Sequence, residues 1–91
     1  MNKPAHATPA LCREQARTAW QRGDMALAEQ AFLRLLEARP DDAEALQFLA
    51  TRQLDRGHME RAIELLSAAQ RAQPQDAAIL HRLGEVQMLA G

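Results

Sequence analysis

Cysteine occurs once, tyrosine not at all, and aromatic residues make up 3% of the 91-residue chain. A lone Cys12 cannot form an internal disulfide, and a small domain held by bridges needs several, so a reducing, cytoplasmic compartment is expected. Lysine is almost missing as well: Lys3 stands against ten arginines, a bias that suggests a GC-rich bacterial genome. Neither sign of charge is in excess, 11 basic residues facing 12 acidic ones. Without a sustained positive field, nucleic acid is not an expected partner. No window approaches ~18 uninterrupted apolar residues, which argues against a membrane partner. Met1 to Pro9 is polar and proline-punctuated, with no apolar stretch behind Lys3, so it reads as a flexible N-terminal segment, residues 1–9, rather than a secretory leader. A chain of this length makes one domain at most and leaves little room for a large catalytic pocket.

Strand formers are scarce too. The β-branched residues are Thr8, Thr18, Thr51, Ile63, Ile79 and Val86, too few to build a sheet. The 47% hydrophobic share is mostly alanine and leucine, accompanied by glutamine, glutamate and arginine. These are strong helix formers, and an all-α fold is expected.

The few glycines and prolines are periodic. Gly23, Gly57 and Gly91 are spaced by 34 residues, and so are Pro40 and Pro74. Sliding residues 9–42 onto 43–76 produces eight identities, among them Ala16/Ala50, Arg22/Arg56, Ala28/Ala62 and Ala38/Ala72. Gly23 and Gly57 can adopt the left-handed conformation that ends a first helix, and a second helix must stop before Pro40 or Pro74. The unit is therefore helix, turn, helix, turn. Five helices are predicted, over 10–22, 25–38, 43–56, 59–72 and 77–90. Asp24 is the expected N-cap of the second, and Asp41 with Glu44 has capping-box spacing for the third. Apolar residues advance by three and four at Leu46, Leu49 and Ala50, with Gln53 interrupting, and again at Ala62, Leu65, Leu66 and Ala69.

With these features the chain resembles the tetratricopeptide repeat family, whose 34-residue pattern prefers a large residue at position 4, apolar or small residues at 7 and 8, Gly at 15, Ala at 20, an aromatic at 24 and Pro at 32. From Ala43 the second unit supplies Leu46, Leu49, Ala50, Gly57, Ala62, Leu66 and Pro74. The first unit matches less fully, with Cys12, Ala16, Gly23, Ala28, Phe32 and Pro40; Gln15 and Ala19 replace bulky apolar groups. A third starts at Ala77 with Leu80, Leu83, Gly84 and Gln87 and covers one helix. The resemblance implies a right-handed α-α superhelix, a solenoid of about five antiparallel helices over residues 10–91, with repeats at 9–42 and 43–76 and a partial repeat at 77–91.

It also implies a function of binding. In this family the first helices line a concave groove that receives a peptide or a helix of a partner protein. By that register the groove holds Arg13, Arg17 and Trp20, then Gln47, Phe48, Thr51 and Leu54, then His81, Arg82 and Met88. Trp20, Leu54 and Met88 recur at one position and form an apolar seam. Two readings of the seam stay open: the residues touch a neighbouring helix, or Trp20 and Phe48 anchor a partner. The family's clamp for a C-terminal carboxylate is matched by Arg13 and Arg82, while Arg17, Phe48 and Ala78 occupy its other places, so such a tail is not the expected ligand.

Chemistry has no apparatus in the sequence. Cys12 falls at a packing position and reads as a buried small hydrophobe. His6, His58 and His81 show no ligand spacing with Cys12 or one another, so no metal is expected. Neither a nucleophile elbow nor a glycine-rich phosphate loop is present, and neither catalysis nor a cofactor is expected. The last helix has no second helix beside it, which predicts an apolar edge of Leu83, Val86, Met88 and Leu89, covered either by the next helix of a longer polypeptide, the preferred expectation, or by a homodimer through this edge. The alternative to a stand-alone binding module is an N-terminal accessory or oligomerisation domain of a larger bacterial enzyme, of hydroxylase, sulfotransferase or glycosyltransferase type.

Overall fold

The computed structural model describes residues 8–91. Among these it has five α-helices and no strand: α1 Pro9–Gln21, α2 Met25–Ala38, α3 Ala43–Asp55, α4 Met59–Ala72 and α5 Ala77–Ala90. The predicted boundaries hold to within one residue. Residues 1–7 of the expected flexible segment lie outside the described residues. Thr8 and Pro9 do not behave as a linker: the Thr8 hydroxyl accepts a hydrogen bond from the Leu11 N–H at 3.1 Å, and Pro9 opens α1. Proline suits that position because its missing N–H would have had no helical partner.

The chain forms two compact units, one ending at Pro40 and the other running from Asp41 to Gly91. In the first, α1 packs on α2 through Cys12, Ala16 and Ala19 on one side and Ala28, Ala31, Phe32 and Leu35 on the other, all buried. Alanine at the contact keeps the side-chain layer thin, so the backbones approach closely while Phe32 and Leu35 supply the volume.

Both turns inside the hairpins are the same Schellman motif. After α1 the Gly23 N–H bonds to the Trp20 carbonyl at 2.9 Å and the Asp24 N–H to the Ala19 carbonyl at 2.9 Å; after α3 the Gly57 N–H bonds to Leu54 and the His58 N–H to Gln53. Gly23 and Gly57 have φ of 80° and 81°, a region L side chains seldom enter. Pro40 and Pro74 act one residue ahead of themselves, since Arg39 and Gln73 leave the helical region with φ of −136° and −132°.

The N-cap of α3 differs from the sequence reading. Asp42, rather than Asp41, accepts from the Ala45 N–H at 3.0 Å. The helix starts at Ala43, so the adjacent carboxylate has the reach, and Glu44 falls in the first turn, where its charge suits the helix dipole, two residues after the cap instead of the three of a capping box.

In the second unit α4 lies against both α3 and α5. Ala50, Ala62, Leu66 and Val86 form its core, with Leu54, Met59, Ile63, Leu65 and Leu83 packed around them. Val86 therefore corrects the predicted edge: it is 2% exposed, not turned to solvent. The reason is the helical phase of α5. Ile79, Leu83 and Val86 follow one another at four and three residues and face α4, whereas Leu80, Met88 and Leu89 fall outside that stripe and are exposed. Burying a side chain such as Leu66 completely contributes roughly 1.5–3 kcal/mol.

Candidate binding surface

Gln47, Thr51 and Leu54 rise at three- to four-residue spacing along one face of α3, and Arg82 stands on α5 within reach of them. The Arg82 guanidinium donates to the Thr51 hydroxyl at 2.9 Å, and that hydroxyl donates in turn to the Gln47 carbonyl at 3.1 Å. A threonine can satisfy both because its oxygen has one proton to give and two lone pairs to receive. The long arginine side chain is thereby held at a fixed place on the rim.

Below it lies an open hollow between α3 and α5. Leu54, Val86, Met88 and Leu89 provide its apolar part, and Thr51, Asp55, Arg82 and Glu85 its polar part. Asp55 is engaged by Arg52, whose Nη1 is 3.4 Å from its carboxylate. Met88 is 84% exposed. An exposed, flexible thioether beside two leucines and a positioned guanidinium can receive an apolar side chain and a backbone carbonyl or carboxylate together.

The structure thus brings Thr51, Leu54, Arg82 and Met88 into one surface, with Gln47 supporting it through its backbone. Asp55 and Glu85 join it, and so do Leu89 and, at its floor, Val86, both of which the sequence assigned to the edge. Phe48 does not serve as the expected anchor. It is 6% exposed and part of the core, so its ring has no face to offer a ligand. The reason is an i to i+3 relation to Ala45, which is buried too: the two share the inward side of α3. His81 is on α5 but outside this hollow, its Nε2 3.3 Å from a Glu85 carboxylate oxygen.

In the first unit Trp20 is half-exposed on α1. Arg13 and Arg17 line a separate shallow hollow with Thr8, Leu11, Glu14 and Thr18. Cys12 is buried as a free thiol. Among the described residues, no group of three or more His, Cys, Asp or Glu side chains is arranged to hold a metal ion, and no helix is long and apolar enough to cross a membrane.

Antiparallel helix pairs repeating every 34 residues, closed by the same glycine turn each time, define an all-α helical repeat protein. The family model for the tetratricopeptide repeat matches residues 13–77 and again 49–91, and the chain belongs to that family. No curated protein matches it.

Proposed function

We propose that this chain is a non-catalytic interaction module, working in a bacterial cytoplasm, whose α3–α5 hollow holds a peptide or helix of a partner protein. Tetratricopeptide repeats typically mediate protein–protein interaction, which sets the class of function. The observation that carries the finer reading is the Arg82–Thr51–Gln47 hydrogen-bond chain beside the exposed Met88. A pre-positioned donor next to uncovered apolar surface loses little freedom when a ligand arrives, and that economy favours binding. Trp20, with Arg13 and Arg17 on the same helix, is a second contact surface offered by the first unit.

The test is selection of peptides from a displayed random library on the immobilised protein, followed by titration of the winners in solution. Peptides that bind the native chain and lose about tenfold or more in affinity with Arg82→Ala or Met88→Glu support the hollow. Winners whose affinity neither change alters would remove it from consideration. The same titration with Trp20→Ala decides the part played by the first unit.

A further inference from the structure

We draw no further inference here: the strongest candidate, the shallow hollow on α1 where Arg13 and Arg17 lie beside Thr8, Leu11 and Thr18, carries nothing beyond the contact surface already described, because Glu14 stands among its arginines and nothing in the structure shows what covers it.

Discussion

Arg82 and Thr51 lie 31 residues apart and are joined across 2.9 Å, the guanidinium of α5 donating to the hydroxyl of α3. Both belong to first helices of their repeats. The bond therefore connects equivalent elements of successive units directly, while α4 holds the same two helices from the other side through Ala62 and Leu66. A polar tie on one side and an apolar layer on the other fix the separation of α3 and α5, and with it the width of the hollow.

Thr51→Val preserves shape and removes both hydrogen bonds of the hydroxyl. Because the Arg82 bond is exposed, the expected loss is small, about 0.5–1 kcal/mol by urea denaturation. Arg82→Ala is expected to cost a similar amount, and the double variant less than the sum. Strict additivity would show that the two side chains are not coupled in solution.

Among the described residues His58 is the one N-cap with no side-chain bond to its helix, whereas the equivalent Asp24 accepts from the Leu27 N–H at 3.1 Å. His58 uses its Nδ1 on the Gln53 side chain at 2.9 Å instead. His58→Asp supplies both a cap and a negative charge at the start of α4. Stability should rise by about 0.5–1 kcal/mol, most clearly at low salt. A lower urea midpoint would show that the Gln53 contact is worth more than the cap.

Two glycines and a third respond in opposite directions to alanine. At Gly23 and Gly57 the positive φ makes Gly→Ala costly by about 1–2 kcal/mol each, even though nothing crowds the new methyl. Gly84 is within α5 with an ordinary backbone and open space beside it, so Gly84→Ala should gain up to about 1 kcal/mol in helix propensity. Thermal melts of the three variants give the signs directly.

Phe48→Ala and Trp20→Ala separate packing from contact. Phe48 is buried, and its loss is expected to cost about 3–5 kcal/mol, enough to unfold much of a small domain. Trp20, half in solvent, should cost well under that. Loss of partner binding in Phe48→Ala would consequently report unfolding, which circular dichroism detects; Trp20→Ala is the clean probe.

Val86 and Met88 are two residues apart and should behave oppositely. Val86→Ala removes core volume and is expected to cost about 1–2 kcal/mol, while Met88→Ala should change stability by less than about 0.5 kcal/mol. Equal effects in a denaturation series would contradict the helical phase assigned to α5.

The sequence alone determined the repeat, the five helices and their ends, because glycine, proline and capping residues act within a few positions of themselves. Gly23 must turn left and Arg39 must leave the helix whatever else the chain does. Local chemistry misjudged by one residue where two aspartates stood side by side, since Asp41 and Asp42 differ only in reach to the first turn. Tertiary structure decided what each exposed-looking side chain is for. Phe48 and Leu54 both sat on the face expected to meet a ligand, and Val86 on one expected to meet water. Which of them is covered depends on how α3, α4 and α5 are rotated about their own axes when they pack, and that rotation is set by side chains distant in sequence. The Arg82–Thr51 bond is a consequence of the same packing: neither residue has a local reason to find the other.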